Sequence, residues 1–213
     1  MKSPSKIMLT VIFIIFSCLS VTTSYAEKTV QENKKTVNLW NNFVEDIYKL
    51  HLKQTSQSEI NKTKRSGSYH RRPDFFQEIK YYDKSSNNLL SRIEWETNNP
   101  EKIHSIEVLV RDKKDKVIRE YSASYLPGFR NAPYQTLINL HHYSDKLHSF
   151  RQFDASDNLI YEVCRSLSSK NKLFEHDDYE IPDNYKHGIG ATKSYQRCFK
   201  PLPKTAKAYL IPH

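Results

Sequence analysis

Nine histidines, two cysteines near the C-terminus and one proline-bracketed aromatic loop are the residues of this chain with chemistry to offer. His141-His142 closes one alternating run, and His148 opens the next after Ser144-Asp145-Lys146. A short turn there sets His142 opposite His148 with Cβ atoms about 5 Å apart. Zinc or copper could be shared at that distance if His104 supplied a third ligand. No spacing places that third ligand, and adjacent strand residues point to opposite faces, so no cofactor is expected. His176-Asp177-Asp178 is oxygen-rich but lacks the ligand spacing of an EF-hand.

Hydrolytic chemistry finds even less. The chain has no GxSxG elbow and no HExxH helix signature, and pairing its late cysteines leaves no thiol nucleophile. Glu94 and Glu96 lie one strand period apart, as on any solvated sheet face. Only four glycines occur, at 67, 128, 188 and 190. That is too few for loops that let a backbone approach a phosphate. The residue inventory favours a binding protein over an enzyme.

The unusual loop is Tyr125-Leu126-Pro127-Gly128-Phe129-Arg130-Asn131-Ala132-Pro133-Tyr134. Its prolines stiffen it, and Pro127-Gly128 suits the centre of a type II turn. Tyr125, Phe129, Arg130 and Tyr134 are the aromatic and Arg side chains that anchor protein interfaces. A second candidate is basic: Lys62, Lys64, Arg65, Arg71 and Arg72 surround Tyr69 and His70, and suit a polyanionic partner.

Cys164 and Cys198 survive leader removal, and an even count in an exported chain reads as one disulfide. The leader reading rests on Lys2 and Lys6, the apolar run from Ile7 to Phe16, and Ser24-Tyr25-Ala26 at the cut. Processing after Ala26 removes two lysines and no acid, taking the formal net charge from +9 to +7. Ile15-Phe16-Ser17-Cys18 is a rival reading as a lipobox, with Phe16 a poor fit; acylation at Cys18 would then be the route to a membrane. Periplasmic or secreted location makes nucleic acid an unexpected partner. An anionic envelope polymer or another protein fits better.

These residues need elements to hold them. Val37, Trp40, Phe43, Val44, Ile47 and Leu50 recur at three- and four-residue steps, predicting an amphipathic helix over 36–53 capped by Thr36 or Asn38. Residues 54–72 are polar and read as a basic linker or surface loop. Strand-like alternation then covers 75–82, 89–96, 104–111, 116–125, 135–143, 147–153 and 158–165. Two turns share a spelling: Arg111 to Glu120 aligns with Phe153 to Glu162, and Asp83 to Leu90 is a looser copy. Asp and Asn suit such turns because they bond the local backbone and tolerate left-handed dihedrals. The offsets are too uneven for a solenoid or propeller.

The resulting expectation is a mainly β (α+β) protein. A leader (1–26) precedes the helix and linker (27–72), then an antiparallel meander of about seven strands (73–165) and an irregular, disulfide-tied strap (166–213). The meander is read as curved around the helix, with a closed barrel as the alternative. In function it is read as an exported, non-catalytic envelope domain binding a protein or polyanion. The alternatives are a carrier of lipid or another apolar ligand, and a hydrolase or metalloprotein whose site assembles only in space.

Overall fold

The computed structural model describes residues 33–127, 130–144, 146–169, 171–178, 180–181 and 188–213. The expected leader with Cys18, and Gly128 and Phe129, lie outside the described residues. Helix α1 spans Lys34–Ser56 and is capped by Asn33, whose side chain accepts from the amides of Lys35 and Thr36 at 3.1 and 3.2 Å. Capping thus falls earlier than the predicted Thr36 or Asn38, adding a half-turn ahead of Trp40. The predicted stripe is otherwise the buried one: Trp40, Phe43, Val44, Ile47 and Leu50, with His51 added.

Nine strands follow: β1 (Ile60–Tyr69), β2 (Arg72–Asp83), β3 (Leu89–Glu96), β4 (Asn99–Arg111), β5 (Val117–Ser124), β6 (Gln135–Tyr143), β7 (Leu147–Phe153), β8 (Leu159–Ser166) and β9 (Lys172–Asp177). Each pairs antiparallel with its chain neighbours, in sequence order from β1 to β9. The sheet is therefore an open meander and not a closed barrel. Two strands exceed the predicted seven. The polar stretch expected to be a linker is β1, an edge strand exposed on both faces and so without a hydrophobic alternation to betray it. Part of the expected strap is β9, where Phe174 and His176 turn inward while Glu175 and Asp177 turn out. The strap also holds a short helix, α2 (Lys193–Phe199).

The hairpin turns obey one rule. Asp112 Oδ1 accepts from the amides of Lys114 and Lys116, and Asp154 Oδ1 accepts from those of Ser156 and Asn158. Asp115 and Asp157 then sit at φ 59° and 68°. In the looser copy Asp83 Oδ1 accepts from Ser86, with Asn87 at φ 56°. Short polar side chains make the left-handed turn that a hairpin needs.

Registry sorts the sheet into two unlike faces. Tyr81, Ser91, Val108, Tyr121, Ile138 and Phe153 form one row across β2–β7, and Ile79, Ile93, Ile106, Ala123 and Thr136 form the next. Onto this apolar face α1 lays Phe43 against Tyr121 and His51 against Tyr81, with His51 Nδ1 2.7 Å from Ser91 Oγ. Farther along the same face, beyond α1, the C-terminal segment takes over. There Arg151 and Glu162, each only 1% exposed, form an ion pair at 3.0 Å. Arg151 also donates to the carbonyls of Leu202 and Pro203, and Tyr195 OH donates to Glu162 Oε1 at 2.6 Å. Alongside, Cys164 of β8 is bonded to Cys198 of α2, with Cα atoms 5.9 Å apart.

The outward face carries cross-strand polar pairs. Arg65 binds Glu78 at 2.6 Å, Arg92 reaches Glu107 at 3.4 Å, and Ser105 donates to Glu94 at 2.6 Å. Such pairs satisfy a solvated sheet face without an apolar cover.

Cys198→Ser opens a loop whose closure stabilises by about 4 kcal/mol in the chain-entropy model, so melting should fall by roughly 10 °C; an unchanged melting temperature would refute that role. Glu162→Gln strands the buried Arg151 charge and should cost about 3–5 kcal/mol in urea unfolding. Adding Arg151→Met to Glu162→Leu should cost less than the two single changes summed; simple additivity would show that the pair is not coupled.

Candidate functional site

The 125–134 connection leaves β5 at its end and returns at the start of β6, beneath α1. Asn41 of the helix holds it at two points: its Nδ2 donates to the Asn131 carbonyl at 2.6 Å, and Tyr125 OH donates to its Oδ1 at 3.1 Å. Ala132 and Pro133 are buried, so this part of the loop is structural. Arg130 donates to the Ile103 carbonyl at 3.2 Å, pairs with Glu96, and lies over the Tyr125 ring at 5.4 Å. Burial lowers the Arg130 pKa; burial, then Glu45, raises the Tyr125 phenol to about 12. Neither group is poised to trade protons near neutrality.

Between α1 and this loop runs an open groove of about 270 Å³, lined by Val44, Glu101, Lys102, Ile103, Tyr125 and Arg130. Tyr134, 64% exposed, stands at the end of the same connection. The loop expected to display four side chains together therefore divides them. Tyr125 and Arg130 form a groove wall, Tyr134 projects to solvent, and Phe129 is outside the described residues. Lys102 on β4 and Asn41 on α1 carried no sequence signal, and Glu96 on β3 was read only as half of a solvated carboxylate pair, since only the tertiary fold brings them to the loop.

The basic candidates are dispersed. Lys62 and Lys64 face the helix side of β1 while Arg65 faces the other and is engaged by Glu78. Lys62 Nζ sits 5.1 Å over the Tyr81 ring. Arg71 and Arg72 lie at the hairpin tip with Tyr69.

The three histidines offered as metal ligands are not brought together. His104 is buried among Tyr69, Phe75 and Phe76, with ring centroids 5.3–5.6 Å away. His142 pairs with Ser149, and His148 with Tyr143, so the expected register is off by one residue. That slip puts His142 and His148 on opposite faces. His148 instead meets His141, its Nε2 3.0 Å from His141 Nδ1, with the rings 3° from parallel. His141 Nε2 lies 3.7 Å from Glu120, whose carboxyl is held below its usual range, first by His141. Among the described residues no group of three or more His, Cys, Asp or Glu side chains is arranged to hold a metal.

Also among the described residues, no helix is long and apolar enough to cross a membrane. Comparison with known proteins finds no matching family model, no similar curated protein and no similar solved structure.

Burial, with help from His141 and Arg165, holds the His148 pKa at about 4 against 6.5 for a free imidazole. The unfolded chain therefore binds the proton first, and stability should decline as pH falls from about 6.5 to about 4. A His148→Asn variant should lose less over that interval, and the His148 ring resonances should titrate near pH 4. Titration near 6.5 would show that the ring is not held in this environment.

Proposed function

We propose that the protein is an exported, non-catalytic envelope domain that recognises a partner protein at the groove between α1 and the 125–134 connection. One observation carries this reading: an open groove with an aromatic wall and charges of both signs, walled by a connection that ends in a tyrosine left 64% exposed. Tyr and Arg are the side chains that supply most energy at protein interfaces. Glu101 and Lys102 give its rim both signs, which suits a protein surface better than a uniformly charged polymer. A disulfide anchored in the core accords with an oxidising compartment.

The carrier reading has less behind it. Trp40, Phe43, Val44, Ile47 and Leu50 from the helix join Ile93, Ile106, Val108 and Tyr121 from the sheet in one packed cluster, where a carried ligand would need space.

A photo-crosslinking residue at position 134, expressed in the native host, should give a discrete protein adduct. That adduct should weaken severalfold when Glu101→Ala and Lys102→Ala are added, whereas the exposed Leu173 position should yield none. Equal adducts from positions 134 and 173, or an adduct indifferent to the groove changes, would defeat the proposal.

A further inference from the structure

A second concavity lies at the far end of the molecule's apolar face, and its described lining is chemically one-sided; Asp145, within the same turn, is outside the described residues. His142, Ser144, Lys146 and Leu147 from the β6–β7 hairpin and Arg197 and Pro201 from the C-terminal segment enclose about 310 Å³. Two side chains are permanent cations, one is an imidazole, one is a hydroxyl, and no acid is among the six. Among the described residues neither Lys146 nor Arg197 is in an ion pair. Nor is this an accident of one position: residues 188–213 contain Lys193, Arg197, Lys200, Lys204 and Lys207 and no Asp or Glu.

The fold also explains why Arg197 is held there. His142, Ser149 and Cys164 are consecutive partners across β6, β7 and β8, on the face that the C-terminal segment covers. Cys164 is bonded to Cys198, the residue after Arg197. The disulfide thus fixes α2 over that row, and Arg197 over the hairpin end. Arg151 holds the Leu202 and Pro203 carbonyls, securing the chain just past Pro201. The backbone that carries Arg197 is thus fixed before any anion arrives, while its side chain is exposed and open to one.

We propose that this pocket binds a phosphate ester. Arg197 and Lys146 take the phosphate oxygens, Arg197 through its fork of donors and Lys146 as a point charge. Leu147 and Pro201 lie against the organic part, for which a volume at the low end of small-molecule sites leaves room. The site is separate from the α1 groove, and neither reading depends on the other.

The test is titration at fixed ionic strength with two probes: glycerol 3-phosphate, and phosphatidylcholine vesicles containing phosphatidylglycerol. Saturable binding of glycerol 3-phosphate should shift the His142 ring resonances and weaken at least fivefold in Arg197→Ala and in Lys146→Ala. Lys64→Ala, on the distant β1 edge, should leave it unchanged. Lys146 is exposed on a turn, so its variant remains informative should Arg197→Ala disturb folding. Arg197- or Lys146-dependent binding of vesicles alone would assign the phosphate to a lipid headgroup, and binding of the soluble ester would assign it to a free metabolite; both uphold the site. Failure of both probes to saturate, or a loss in Lys64→Ala equal to that in Arg197→Ala, would overturn it in favour of diffuse charge attraction.

Discussion

The buried Arg151–Glu162 pair is the interaction on which the C-terminal half depends. Two charges at 1% exposure are tolerable only where every remaining donor and acceptor is met. The lining meets them: the guanidinium donates to two backbone carbonyls and to Tyr195, and the carboxylate accepts from Tyr195 beside His176, whose Nδ1 is 3.1 Å away. Those partners come from β7, β8, β9, α2 and the chain beyond it. A single charge pair thereby dictates where a segment with little regular structure must lie. The adjacent disulfide adds a covalent limit to the same placement.

That placement completes a division of labour over one sheet face. Helix α1 is long enough to cover only part of a nine-stranded meander, packing on β3, β4 and β5. Without a second cover, Phe153, Cys164 and Phe174 would face water. The two covers meet at the β7–β8 turn, where Trp40 Nε1 donates to Ser156 Oγ at 2.8 Å and Asp157 accepts from the Ala206 amide. A turn whose aspartates first serve the hairpin thus also joins helix to tail.

How much of this was legible in the residues varied with the physical origin of each feature. The α1 stripe and the aspartate turns were readable because their causes are local: a 3.6-residue period and side chains bonding their own backbone. Strand β1 was hidden, since an edge strand with both faces in water has no alternation to read. Its Gly67 carries the one clue, because Phe76 lies where a Cβ would stand. At the candidate site, Tyr125, Arg130 and Tyr134 announced themselves through a proline-stiffened aromatic loop. Asn41, Glu96 and Lys102 did not, because only tertiary packing brings them there. The histidines show how sensitive such reasoning is: one residue of register exchanged His142 for His141 as the neighbour of His148.

The same sorting determines where charge remains free to meet a partner. On the outward face the carboxylates are engaged in place: Glu78 by Arg65, Glu107 by Arg92, Glu120 by Asn139 and Glu175 by Lys172. The positive surplus of the chain therefore does not spread evenly over the sheet. It collects on the β1 edge and on the C-terminal segment, which has five Lys and Arg residues without an acid. On β1 the cations point to different faces and guard an open edge against strand pairing. On the C-terminal segment, a disulfide and a buried ion pair hold one arginine beside a hairpin lysine over a shared concavity. Equal charge has a different consequence at the two places because on the C-terminal segment two cations share one concavity, whereas on β1 they are divided between faces.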